Sequence, residues 1–329
     1  MTASNNQKIL TFDQMFVTRY STGEIRKAVY HWVVKTAMMF VFVFVTFSSN
    51  GFCQVKNIGT PFIRNYDRTE YKAGLQTWMI SDAPNGLMYF ANNDGMMEFD
   101  GFQWRLYRLP GESVVRSVLA TSDNRIYAGG FNEIGYFSPN EKGKLNFTTL
   151  QHIVPEQYRD FGEVWKIYDM PQGIIFQSFE QLMIFRDNSI TVVRAPELFH
   201  FSFLVNGELY INDEFEGLHR LAGERLTKVP GTDGLKGQLV WAMLPKGNNM
   251  LIATTNNGIF EFNGLGIVPW ENPAGDLLRT NQVYCGITLS ENTYAFGSIQ
   301  DGLIICDTAG TIKQHINIGK GLQNNTVLS

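Results

Sequence analysis

One short phrase recurs six times along this chain, and it restricts the fold more than any other feature. A turn residue, four or five apolar-rich residues and a second turn read as GMMEFDG from Gly95, EIGYFSP from Glu133 and QLMIFRD from Gln181. The phrase returns as GLHRLAG from Gly217, GIFEFNG from Gly258 and GLIICDT from Gly302. Successive copies start 36 to 48 residues apart. Around each copy the flanking strands are legible. Upstream lie a turn and a strand (NGLMYFA from Asn85, NGELYIN from Asn206), and before them another strand (QTWMI from Gln76, LVWAM from Leu239). Downstream a pair such as Asp100-Gly101 or Asn263-Gly264 supplies the positive φ of a tight hairpin, and a last strand follows. Four short strands in a period near 40 predict an all-β fold, a β-propeller of four-stranded antiparallel blades.

The predicted architecture has six blades and the first strand of a seventh. The closing residues GLQNNTVLS from Gly321 match the opening of the first unit, GLQTWMIS from Gly74. A blade buries its faces on two neighbours, so the sequence predicts an incomplete ring with a gap where further blades belong, and possible self-association through the uncovered faces. No helical period stands out in the body of the chain. Residues 1–53 read as an N-terminal extension and signal peptide, 54–74 as a lead-in segment, and 75–329 as the propeller.

The signal-peptide reading rests on an apolar run of 11 residues, Ala37–Phe47, preceded by Lys35 and followed by the small residues Ser49 and Gly51. That run is short for a bilayer span, which takes about 20 residues. It predicts export to the periplasm, with cleavage between Gly51 and Gln54.

Hydrophobic residues make up 44% and charged residues 18%, a globular balance, and the formal net charge is −4. No Lys/Arg run marks the body, so a nucleic-acid-binding surface is not expected in this segment. Of the cysteines, Cys285 and Cys306 fall on strands that are not neighbours, and they read as small buried residues, not as a disulfide.

Taken together, the blade phrases resemble the two-component-regulator propeller repeats. The resemblance is carried by DAPNGLMYFANNDGMMEFDG after Ser81, DMPQGIIFQSFEQLMIFRDN after Tyr168, and the opening IGTPFIRNY after Asn57. It covers about residues 54–329. It implies the periplasmic sensor region of a large bacterial regulator. In that family the propeller is followed by a triple-tyrosine domain, a membrane helix and a cytoplasmic output domain, a LuxR-type regulator or a histidine kinase. It also implies a carbohydrate-derived ligand. One departure lies in the unit around Phe199 to Arg225, which lacks the usual acidic turn between its first two strands.

Reaction machinery is not visible. The histidines His31, His152, His200, His219 and His315 stand in no metal-ligand spacing, and no nucleophile elbow or phosphate loop occurs. Asp82, Asp123 and Asp169 recur in turns, where aspartate bonds its own backbone. No catalytic residue, cofactor or metal site is expected. A pair of glycosidase carboxylates brought together from separate blades would leave no trace in spacing, so a secreted glycan enzyme is the alternative. A non-catalytic docking scaffold is a third reading.

One register is distinctive. The third residue of the first strand is Trp78, Arg116, Trp165, Trp241 and Tyr284 in units one, two, three, five and six. The first strand of a blade lies nearest the propeller axis. Four aromatics and one arginine there would form a stacking face for a sugar or another planar ligand, or would pack between blades as ordinary core.

Overall fold

The computed structural model describes Lys27, residues 29–38 and residues 62–329. Residues 29–38 are helical. Most of the expected signal segment, with its cleavage site, lies outside the described residues. Among the described residues, no helix is long and apolar enough to cross a membrane.

The body forms six four-stranded antiparallel sheets, each a simple meander. Blade one is β1 (Thr77–Asp82), β2 (Met88–Asn92), β3 (Gly95–Phe99) and β4 (Trp104–Tyr107). Blade two is β5 (Val115–Ala120), β6 (Ile126–Gly130), β7 (Ile134–Pro139) and β8 (Leu145–Thr149). Blade three is β9 (Val164–Met170), β10 (Gly173–Ser178), β11 (Gln181–Arg186) and β12 (Ser189–Arg194). Blade four is β13 (Phe199–Val205), β14 (Glu208–Asp213), β15 (Gly217–Ala222) and β16 (Arg225–Lys228). Blade five is β17 (Val240–Lys246), β18 (Asn249–Thr254), β19 (Gly258–Phe262) and β20 (Ile267–Pro269). Blade six is β21 (Val283–Ser290), β22 (Thr293–Ser298), β23 (Leu303–Asp307) and β24 (Ile312–Ile316). The blades stand in a ring, and the innermost strands β1, β5, β9, β13, β17 and β21 adjoin in that order around one axis.

Burial explains why the second strand of each blade is apolar without alternation. Blades two to five are covered on both faces by their neighbours, and the second strands lie deep in these joints, so residues of both parities are buried. All five residues of β6 are buried, as are the last five of β10, β18 and β22. The outer strands β4, β16 and β20 contain no buried residue. Gly302, which opens the repeated phrase in blade six, has φ +77°, and a Cβ there would come 2.2 Å from the Ile316 carbonyl oxygen. Glycine at this position lets the third and fourth strands close together.

Blade four is complete. Asn206 and Gly207, both at positive φ, make the tight turn between β13 and β14 in place of an acidic one. Two expectations need correction. First, residues 321–329 form no strand. Their backbone bonds blade six: Val327 N donates to Ser298 O and Gly302 N donates to Asn325 O. Second, a helix does occur, at Pro273–Asn281 between blades five and six. Asn272 caps it by accepting from Gly275 N, Pro273 sits in its first turn, and Ala274 and Leu278 are fully buried in the core shared by those blades. Nine residues carry too little periodicity to stand out among strands.

Candidate functional site on the propeller axis

Each first strand contains an irregularity near its start, at or beside the predicted register, and β21 has a second one between Thr288 and Ser290. In β1, Thr77 pairs with Asn92 and Met79 with Ala91, so Trp78 is left as the extra residue of a β-bulge. Arg116 is skipped in the same way in β5, Trp165 in β9, Trp241 in β17 and Tyr284 in β21. A bulge re-aims the side chain of its unpaired residue. Repeated six times around a ring, it turns six side chains toward the axis.

All five predicted residues are brought together there. They line one cavity of about 440 Å³, within the usual range of small-molecule sites. The sixth ring position was missed by sequence. In β13, Phe199 pairs with Asp213 and Ser202 with Ile211, leaving His200 and Phe201 opposite Asn212. Phe201 is the blade-four member. Counting three residues into the unit gives Phe203 instead, which also lines the cavity.

The rings form a nearly continuous wall. Trp78 meets Trp165 edge to face at 5.7 Å, Trp165 meets Phe201 at 5.9 Å, Phe201 meets Trp241 at 5.3 Å, and Trp241 lies 4.2 Å from Tyr284. The Arg116 guanidinium sits over Trp78 at 4.1 Å and over Trp165 at 4.9 Å. Its Nε and Nη2 both donate to Glu163 Oε1, at 2.9 and 2.6 Å, bridging blades two and three. Between them, burial, stacking and the ion pair fix the arginine plane.

Behind the wall lies His200, which is buried. Its Nδ1 lies 2.9 Å from Val240 O and donates to that carbonyl. Desolvation, assisted by the nearby Lys166 charge and opposed by the Val240 carbonyl, holds the imidazole down at about 4. It is neutral at ordinary pH. Burial pushes the Tyr284 phenol and the Cys285 thiol upward, so both stay protonated. Cys285 and Cys306 are free thiols.

Lys166 follows the Trp165 bulge, and its ammonium lies 5.2 Å from the centre of the Phe201 ring. Part of its surface remains accessible through the cavity, yet protein surrounds it deeply enough that desolvation lowers its ammonium below the usual lysine range. Among the described residues no Asp or Glu side chain lines the cavity; Leu328 and Ser329 of the C-terminal segment do line it. The carboxylate that burial raises, Glu133, lies elsewhere, accepting from Thr149 Oγ1 at 2.5 Å. Among the described residues no group of three or more His, Cys, Asp or Glu could hold a metal ion.

No family model matches the chain, and no curated protein sequence does. Solved structures do match, as folds. The extracellular domain of the hybrid two component system BT4673 from B. thetaiotaomicron aligns with a TM-score of 0.59 and 16% identity over 78% of this chain. The alignment covers only 35% of that domain's length. A catalytically inactive virginiamycin B lyase from Staphylococcus aureus, solved with quinupristin, aligns with a TM-score of 0.61 and 13% identity over 77% of this chain and 87% of that one. The WD40 β-propeller domain of Doa1 aligns with a TM-score of 0.54 and 14% identity over 74% and 86%. The chain is a six-bladed β-propeller, similar in fold both to a two-component extracellular domain and to an enzyme.

Proposed function

We propose that this propeller is the ligand-sensing part of an exported regulator of the two-component-regulator propeller kind, and that it binds a carbohydrate-derived ligand on its axis. One observation carries this reading: six bulged first strands deliver five aromatic side chains and one arginine to a single cavity. Aromatic faces stack on sugar rings, and a fixed guanidinium donates to hydroxyl or carbonyl oxygens. The blade phrases and the fold likeness to a two-component extracellular domain support the sensor role. Hydrolysis by an Asp/Glu pair finds no such side chain among the described residues that line the cavity.

The test is a titration of intrinsic tryptophan fluorescence with a panel of short oligosaccharides. A binder is expected to quench or shift the emission of the axial tryptophans. Trp165→Ala and Trp241→Ala are each expected to weaken it roughly tenfold, about 1.4 kcal/mol. Binding that survives both substitutions would place the ligand elsewhere. Export is tested separately. A reporter joined after Gln54 is expected in the periplasm with the N-terminus removed, and recovery of the uncut N-terminus from the cytoplasm would refute it.

A further inference from the structure

The residue that follows the bulge in each first strand is Met79, Ser117, Lys166, Ser202, Ala242 or Cys285. Five of these are neutral and small or flexible. The sixth puts an ammonium group at the wall of an aromatic cavity. A lysine in such surroundings is costly unless its charge is matched.

Among the described residues the one group that favours the charged form of Lys166 is the Cys285 thiol. Burial keeps the Cys285 thiol, His200 and the adjoining Tyr284 neutral at ordinary pH, and the Arg116 cation, whose field reaches Tyr284, has the same sign as Lys166. Glu163 is committed to Arg116. Donors are in surplus in the same sector. The Trp78 and Trp241 indoles donate to Asn93 Oδ1 at 2.7 Å and Thr255 Oγ1 at 2.5 Å. The Trp165 indole N–H and Arg116 Nη1, on the blade two and three side, are buried without a hydrogen-bond partner. Among the described residues the cavity wall thus carries the Lys166 ammonium and no Asp or Glu side chain, with two unpartnered donors buried in the residues that form it.

The geometry points to a sugar acid as the ligand: its carboxylate binds Lys166, on the side where Arg116 and Trp165 hold spare donors, and its ring lies on the aromatic wall. This inference rests on the axial site proposed above and adds the charge of what fills it. Stacking alone would accept neutral and acidic sugars alike. The ammonium makes the distinction, because a charge-assisted bond formed in a desolvated cavity is stronger than a neutral one.

The test is calorimetric titration of the chain with methyl β-D-glucuronide and methyl β-D-glucoside, which differ only at the carboxylate. The glucuronide is expected to bind at least about tenfold more tightly. Lys166→Met is expected to abolish that preference and leave the glucoside affinity within about twofold. Methionine already stands at the equivalent position of blade one, so this substitution should fold, which a thermal melt checks. Lys166→Arg is expected to keep the preference. Equal binding of the two glycosides by the unaltered chain, or an undiminished preference in Lys166→Met, overturns this inference and leaves the axial site standing. Binding of neither glycoside overturns it together with the site.

Discussion

The five joints between consecutive blades and the seam between blade six and blade one are built differently. Each joint holds its own buried apolar cluster. Blades one and two share a cluster that includes Tyr89, Met96, Val118 and Phe137, and blades two and three share Ile134, Phe161, Ile167 and Phe176. Blades three and four, four and five, and five and six have equivalent clusters. No such cluster among the described residues joins blade six to blade one. Two irregular segments lie there instead. Asn65 Nδ2 donates to Gly321 O at 2.9 Å, and Tyr66 packs on Phe99 and Trp104 at 5.2 and 5.3 Å. Ile80 in blade one and Ile287 and Leu289 in blade six remain exposed, at 42%, 58% and 51%. The difference teaches where cohesion resides: in sheet-to-sheet burial at the joints, with the seam held by loops and a few polar bonds.

The largest expected effect comes from a joint. Phe176→Ala removes a fully buried ring from the cluster of blades two and three. It is expected to cost about 3–5 kcal/mol, measured by urea denaturation. A loss below about 1 kcal/mol would mean that the joints are not the main source of cohesion.

The joint of blades four and five adds a pH dependence through His200. Its folded value, about 4, lies below its ordinary 6.5. Neutral imidazole is therefore the form the fold favours. The stabilisation is fully present above pH 6.5 and is lost as pH falls toward 4, by up to about 3 kcal/mol. His200→Asn retains a side-chain donor for Val240 O and should remove this dependence. Denaturation midpoints of both proteins at pH 7 and 4.5 decide it; parallel losses would exclude His200 as the cause.

A smaller effect is expected where blades two and three meet near the axis. Glu163→Gln removes the charge opposite Arg116, whose side chain is only 15% exposed. The expected cost is about 1–3 kcal/mol, with a change in tryptophan emission as the guanidinium shifts between Trp78 and Trp165. An unchanged spectrum and stability would show that stacking alone holds the arginine.

The seam should respond least. Leu289→Thr is expected to change stability by less than about 0.5 kcal/mol, because the side chain is already in water. A cost comparable to that of Phe176→Ala would show that this face is buried in solution, by self-association or another partner. Sedimentation of the unaltered chain would then reveal it.

Much of this was legible in the sequence. The repeated phrase determined the number of blades and the order of their strands, because turn residues and apolar runs are local signals that survive without knowledge of neighbours. The same register located Trp78, Arg116, Trp165, Trp241 and Tyr284, since a fixed position within a repeat becomes a fixed radius in a ring. Tertiary structure decided the rest. Phe201 was hidden because a bulge is a property of pairing between two strands: which residue is skipped depends on how β13 meets β14, and not on the residues of β13 alone. The helix Pro273–Asn281 is held by the core of two blades that only the folded ring brings together. Residues 321–329 copy the opening of blade one in sequence yet form no strand, and their backbone bonds Ser298 and Gly302 of blade six instead. The surplus of donors around Lys166 likewise emerged only when the ring placed Glu163, Arg116 and Trp165 against one another. Chain-local chemistry wrote the blades; contacts between blades, set by burial and hydrogen-bond pairing across long separations, made the site.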